Sequence, residues 1–318
     1  WALVGNIPNV KLDYSTNGGT SYDYAIIAST PGGGLSYAWT IPDTVSINVK
    51  VRVSDQTDVT VNDVSNNTFK IQAGFTITSP NGSEVWSVNA AEQITWTKVG
   101  TAPSVKLEYS TNGGLDYDKL INASTQNTGT YSWTVPDTIS SSCRVKISDT
   151  ADPSATDASD GNFKIRGSLT LLSPNGAEVW IVGSGHAVTW SKVGAIATVK
   201  LEYSMDGGST YPGLINASVD GSLGTYNWTI PEVITNQARV RISDNSDGTV
   251  EDISNNNFFM KGALLLTAPN GAEEWVVSTG RNITWQRTGP IANVRLEYST
   301  DSGGSYPYAI VGSTDALA

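Results

Sequence analysis

One nine-residue pattern limits what this chain can fold into. YSTNGGTSY starts at Tyr14, YSTNGGLDY at Tyr109, YSMDGGSTY at Tyr203 and YSTDSGGSY at Tyr298, in steps of 95, 94 and 95 residues. A second marker keeps the same spacing: SPNGSEVW from Ser79, SPNGAEVW from Ser173 and APNGAEEW from Ala268. All ten Trp residues fall in three columns of this period: Trp1, Trp96, Trp190 and Trp285; Trp86, Trp180 and Trp275; Trp39, Trp133 and Trp228. A period this regular means tandem copies of one unit.

The second copy shows what the unit is. FTIT (75–78) is a β-rich run stopped by Pro80-Asn81-Gly82, a strong turn signal. QITWT (93–97) puts Ile94 and Trp96 on one face, and SVKLEYS (104–110) puts Val105, Leu107 and Tyr109 in and Lys106 and Glu108 out. The same inward columns read Val10/Leu12/Tyr14, Val199/Leu201/Tyr203 and Val294/Leu296/Tyr298. Period 2 with one apolar face marks half-buried antiparallel strands. A short strand near 117–121, then TYSWTV (130–135), CRVKIS (143–148) and NFKIR (162–166), complete seven expected strands with no helical periodicity. Seven strands per copy predict an all-β fold of tandem immunoglobulin- or fibronectin-III-like sandwiches.

The expected domains are 1–72, 75–166, 169–261 and 264–318, two complete copies between two partial ones. A chain that opens without Met inside a repeat reads as a window on a longer array, and no leader peptide is visible in it. Gln72-Ala73-Gly74 and Arg166-Gly167-Ser168 are the whole of two connections, which predicts a stiff rod of head-to-tail sandwiches.

With Lys+Arg 19 against Asp+Glu 30, the net charge is −11 and argues against nucleic acid as a partner. No apolar run approaches the length that spans a membrane. A single Cys allows no disulfide within the chain.

Few residues stand out as chemistry. His186, the only His, aligns with Glu92 and Arg281 and reads as a surface position just before a strand; no nucleophile motif accompanies it. Cys143 aligns with Val49 and Ala238 and reads as a small buried hydrophobe. Trp96 and Trp133 fall on inward phases, whereas the Trp of the EVW marker sits in an apparent loop that could present an aromatic face. Lys106 with Glu108, Lys200 with Glu202 and Arg295 with Glu297 read as a solvated charge ladder. The acidic loop after the RVKIS strand carries three Asp columns: Asp55, Asp149 and Asp244; Asp58, Asp152 and Asp247; Asp63, Asp157 and Asp252. These could hold Ca²⁺, or could make Asx-turns to nearby N–H groups, and the spacing is not that of an EF-hand. Asn-x-Ser/Thr acceptors for glycosylation occur at Asn66, Asn81, Asn122, Asn216, Asn227 and Asn282. No phosphate loop, zinc spacing or nucleophile elbow is present, so no catalytic residue is assigned and the chain is expected not to be an enzyme.

Two resemblances bear on function. The order S-x-(D/N)-x-G-x-(S/T)-(W/Y) at Ser15–Tyr22 resembles the Asp-box hairpin of sialidase-type propellers. A propeller would repeat it every 40–50 residues, so here it reads as a tight hairpin whose Gly needs positive φ. The linked order SPNG-x-EVW, ITW, V-K-LEYS-x-(D/N)-GG, WTVPD, RV-(R/K)-ISD and N-F-(K/T)-I resembles Ig-like repeats of large secreted and surface-anchored bacterial and archaeal proteins. Those repeats are similar to the Ser/Thr-rich, GPI-anchored-type domain of yeast cell-wall glucan-assembly proteins. Glu232 for Asp and Ala268 for Ser are its small departures. The resemblance implies an extracellular or cell-surface spacer, stalk or fibre. Its partners would be neighbouring repeats, self-assembled copies or surface glycans. An adhesin or carbohydrate-binding array, or spacer domains of a secreted enzyme, are the alternatives.

Overall fold

The computed structural model describes residues 1–317. The chain divides into two compact units, Trp1–Arg166 and Gly167 onward.

In the first unit, the second copy is a two-layer sandwich. One sheet orders Thr130–Thr134, Ala91–Val99 and Gly74–Ser79. The other orders Lys119–Gln126, Ser104–Ser110, Ser140–Asp149, Phe163–Arg166 and Val85–Ser87, with Thr156–Ala158 paired to Ser140–Asp149. Pairing is antiparallel except between Val85–Ser87 and Phe163–Arg166, which run parallel with Trp86 opposite Ile165. The alternating phases hold: Ile94, Val105, Leu107, Val145 and Ile147 have no exposed surface, and Trp96 and Trp133 are buried between the layers. Each such side chain contributes roughly 1.5–3 kcal/mol on burial, enough to hold a domain this small without disulfides.

The first copy contributes one five-stranded sheet: Tyr24–Pro31, Asn9–Ser15, Ser46–Asp55 and Asn62–Val64, with Phe69–Ile71 paired to Ser46–Asp55. Trp1, expected inside a strand, is in none; neither are residues 37–40, the segment a strand there would pair with.

In the second unit, the third copy repeats the sandwich. Its sheets are Ser168–Ser173, Gly185–Val193 and Thr225–Thr229, then Val179–Ile181, Phe258–Lys261, Thr235–Asp244, Thr198–Ser204 and Gly213–Asp220, with Glu251–Ile253 alongside. The fourth copy contributes two pairs, Ala263–Ala268 with Thr284–Thr288 and Asn293–Tyr298 with Tyr308–Asp315.

Two further segments of the sandwich differ from the sequence reading. The EVW marker is not a loop: Trp86 and Trp180 lie in short strands and are 6% exposed, each against a second Trp and a Phe. Thr156–Ala158 and its equivalents add a further strand per copy, so a complete copy has nine strands rather than seven. In the fourth copy Trp275 is 43% exposed, because the residues that cover Trp86, namely Trp133 and Phe163, have no equivalents among residues 264–317.

Candidate functional site

The repeated hairpin is held by its own side chains. In the second copy Ser110 Oγ donates to Asn112 Oδ1 (2.6 Å) and accepts the Gly114 N–H (3.0 Å), and Asn112 Oδ1 accepts the Asp116 N–H (3.3 Å). Ser15/Asn17, Ser204/Asp206 and Ser299/Asp301 repeat the arrangement. Hydrogen bonds from Ser204 and Thr210 pull the Asp206 carboxyl down to about 2. The third-position Gly has positive φ in all four copies, 87° at Gly114. A Cβ on Gly114 would also lie 3.0 Å from the Tyr117 hydroxyl and 3.1 Å from Arg144 Cδ. The Gly therefore admits both the turn and the closing Tyr, which packs back onto the sheet as expected.

That Tyr changes the reading of the outer face. Lys146 Nζ sits 5.0 Å from the centre of the Tyr117 ring, and Arg52 and Arg241 cover Tyr22 and Tyr211 at 4.4 Å. The same cations reach the acid beside them: Lys146 and Lys106 hold Glu108 at 3.1 and 2.6 Å, and Arg241 and Lys200 hold Glu202 at 2.7 and 2.5 Å. In the first copy Lys11 and Arg52 hold Asp13. The Glu108 and Glu202 side chains are only 14% and 10% exposed. In the first three copies the expected solvated pair is instead an enclosed carboxylate between two cations, one of which also lies against a Tyr ring; in the fourth, Glu297 meets Arg295 and is more exposed. Burial raises the Glu108 pKa, and hydrogen bonds and charge from Lys106 and Lys146 outweigh it, leaving the carboxyl below its ordinary value.

The acidic loop separates into three jobs. First-column carboxylates cap the turn that follows them: Asp55 Oδ1 accepts the Thr57 N–H and hydroxyl (both 2.8 Å), Asp149 the Ala151 N–H and Asp244 the Ser246 N–H. Asp58, Asp152 and Asp247 do the same for Thr60, Ser154 and Thr249. Third-column Asp157 and Asp252 reach across the sandwich, accepting the Ile77 N–H at 2.7 Å and the Leu171 N–H at 2.6 Å. Asp63 meets no such amide among the described residues. Asp152 has a further role, because Lys70 and Gln72 of the first copy each bind it at 2.8 Å. Those hydrogen bonds, from Gln72 first and then Lys70 and Ser154, hold its carboxyl far below the usual range. Among the described residues, no three His, Cys, Asp or Glu side chains converge as a metal site would require.

The other candidates take framework positions. His186 lies within Gly185–Val193 rather than before it, half-buried, stacked 4.7 Å over Trp180 with its Nε2 2.9 Å from Ser184 Oγ. Cys143 is fully buried, and burial pushes its thiol pKa up. Asn81 exchanges hydrogen bonds with Asp160, Asn122 bonds Ser124 and Tyr131, and Asn216 bonds Ser218; Asn66, Asn227 and Asn282 are exposed. In the SPNG marker, Glu84 accepts both the Asn81 and Gly82 N–H groups at 2.8 Å, and Glu178 and Glu273 repeat this.

Sequence reasoning missed the partners of the indoles in the ITW column, buried at Trp96 and Trp190 and partly buried at Trp1 and Trp285. Trp96 Nε1 donates to Asn127 Oδ1, and Trp1, Trp190 and Trp285 donate to the carbonyls of Gly32, Gly221 and Ala316. A Trp column placed on an inward phase needs such an acceptor, which was the available signal. A cleft of about 530 Å³ opens beside Leu12, Trp39 and Val51 in the first copy. Their equivalents Leu107, Trp133 and Val145 are buried core in the second, so the cleft is lined by framework residues.

No family model matches the chain, and no curated protein does. Solved structures that match include the fibronectin(III)-like modules of Clostridium thermocellum CbhA, at 17% identity over 58% of this chain and 92% of that one, TM-score 0.21. The N-terminal four Ig domains of Dscam1 isoform 1.9 match at 8% identity over 80% and 65%, TM-score 0.29, and the tandem Ig repeats of Dlar at 14% over 60% and 99%, TM-score 0.21. The strand order and burial described above carry the assignment: the chain is a tandem array of Ig- or fibronectin-III-like β-sandwich copies.

Proposed function

We propose that the chain is a spacer segment of an extracellular or cell-surface protein, a stiff rod, stalk or fibre of head-to-tail sandwiches without chemistry of its own. The observation that carries this reading is the meeting of the first two copies. Only Gln72 and Ala73 separate Phe69–Ile71 from Gly74–Ser79, and Lys70 and Gln72 are both bound by the next copy's Asp152. A connection this short and this tied restricts rotation between copies. Ten-residue strands such as Ser140–Asp149 are about 33 Å long, so four copies in line would give a largest dimension on the order of 100 Å or more. Small-angle scattering of the full chain tests this; a compact globule or a freely jointed profile would sink it.

A second reading, a glycan-binding array, draws on Tyr24, which is 41% exposed within residues 22–35, the stretch after the hairpin that differs most from its counterpart at 117–130. A glycan array probed with the full chain decides it, and silence there leaves the spacer reading.

A further inference from the structure

The contact between the first and second copies is built largely from two carboxylates. Asp43, in the WTIPD segment of the first copy, accepts the Thr101 N–H at 2.6 Å and the Thr101 hydroxyl at 2.7 Å. Asp152, in the acidic loop of the second, accepts Lys70 Nζ and Gln72 Nε2 at 2.8 Å each, while Ser154 Oγ meets the same two groups at 2.8 and 2.6 Å. Between them the contact is apolar and tight: Val45 packs against the second copy's core. Gly100, at φ 80°, takes a backbone conformation that strains any side chain, and a Cβ there would press on Asp43 Oδ1 at 3.3 Å. One latch runs forward from the first copy and the other runs back from the second. Two attachment points on opposite-running segments restrain both bend and twist, which one would not.

We propose that these two carboxylate latches set the orientation of the second copy on the first, and that the chain makes its junctions stiff or compliant by changing the residues that complete them. The third-to-fourth junction carries the contrast. There Pro290 stands where Thr101 stands, Glu232 where Asp43 stands and Phe259 where Lys70 stands. Proline has no N–H to give, so the forward latch cannot form with either carboxylate. Phe259 removes one donor of the backward latch, while Lys261 stands where Gln72 stands and keeps a cation there. In place of the forward latch there is close apolar contact, with a Cβ on Gly289 falling 3.2 Å from Val182 Cβ. Apolar contact without directed bonds resists separation but not sliding. The proposal rests on the spacer reading for its use and not for its geometry.

The test is a distance distribution by pulsed electron paramagnetic resonance on the full chain in a Cys143→Ala background; the column already carries Ala238. Spin labels replace Thr20 and Leu115, both exposed on the hairpin tips of the first two copies. The expected result is one narrow peak, lost in Thr101→Pro and lost again in Asp43→Ala with Asp152→Ala. A second pair at Ser209 and Gly304 reads the other junction, where Glu232→Asp with Pro290→Thr installs the forward latch and narrows the distribution. A broad Thr20–Leu115 distribution in the parent chain overturns the proposal, and so does a peak that survives both latch variants. A second pair unmoved by the graft overturns the graded junction. A chain that scatters as a globule while the Thr20–Leu115 peak stays narrow refutes the spacer reading and leaves the latches standing.

Discussion

Removing the Asp157 carboxylate should loosen the second copy at a named amide. Asp157 lies on Thr156–Ala158, paired into the larger sheet, yet its Oδ2 accepts the Ile77 N–H at 2.7 Å from the smaller one. Ile77 is 1% exposed, so water cannot replace the carboxylate without opening the sandwich. A hydrogen bond to an ionised acceptor is worth about 1.5–3 kcal/mol net, and a buried N–H left unpaired costs about 1–3 kcal/mol. These describe one event from two sides and do not add, so Asp157→Ala should cost about 2 kcal/mol. Asp157→Asn keeps a neutral acceptor and should cost about half as much. Hydrogen exchange on the full chain reads this locally: about 2 kcal/mol corresponds to roughly 30-fold faster exchange at the Ile77 amide. Asp63→Ala is the internal control, since Asp63 is the same column without an amide to hold, and should fall within about ±0.5 kcal/mol. If Asp157→Ala leaves Ile77 exchange at its parent rate, or costs no more than Asp63→Ala, the cross-sheet tie is not a stabilising contact.

Three further outcomes follow from the same geometry. Gly114→Ala should destabilise the second copy by about 1–2 kcal/mol in urea unfolding, from a Cβ at positive φ that also meets Tyr117 and Arg144. Acid should weaken the second and third copies through Glu108 and Glu202: their folded carboxyls lie below their ordinary value, so the stability they contribute is complete above it and is lost as pH falls through it toward the folded value. Glu108→Gln should flatten that part of the melting-temperature profile for the second copy, and an unchanged slope would reject the assignment. Because the loop carboxylates already hold turn N–H groups, Ca²⁺ titration should leave the melting temperature unmoved, and a saturable rise would revive the metal reading.

What could be read in the sequence was what one copy settles locally. Val105, Leu107 and Tyr109 alternate because one face of their strand is buried, and a period of 2 cannot be satisfied any other way over seven residues. The Asp columns announced turn chemistry because their N–H partners lie two residues on. Val85–Ser87 could not be read, since three residues define no period and the partner strand lies near Lys164. Nor could the enclosure of Glu108: alternation places it outward, and only the neighbouring strand and the returning hairpin show that Lys146 and Tyr117 occupy that outward space.

The repeat contains a further signal that alternation does not. Several residues whose partners lie in their own copy recur wherever their columns do: Ser110, the Asn112 or Asp position, Gly114 and Glu84. Asp43 and Lys70, whose partners lie in the next copy, recur as Asp137 and Lys164 and change only in the third copy. Glu232 arises opposite Pro290, and Phe259 takes the place of Lys70. A change matched by one in the following copy marks a pair to test, named by what the two lose together. For Glu232 and Pro290 that is one N–H and the carboxylate length that fitted it. If the latches act as proposed, the departure from WTVPD at Glu232 belongs to a junction and not to the interior of a sandwich.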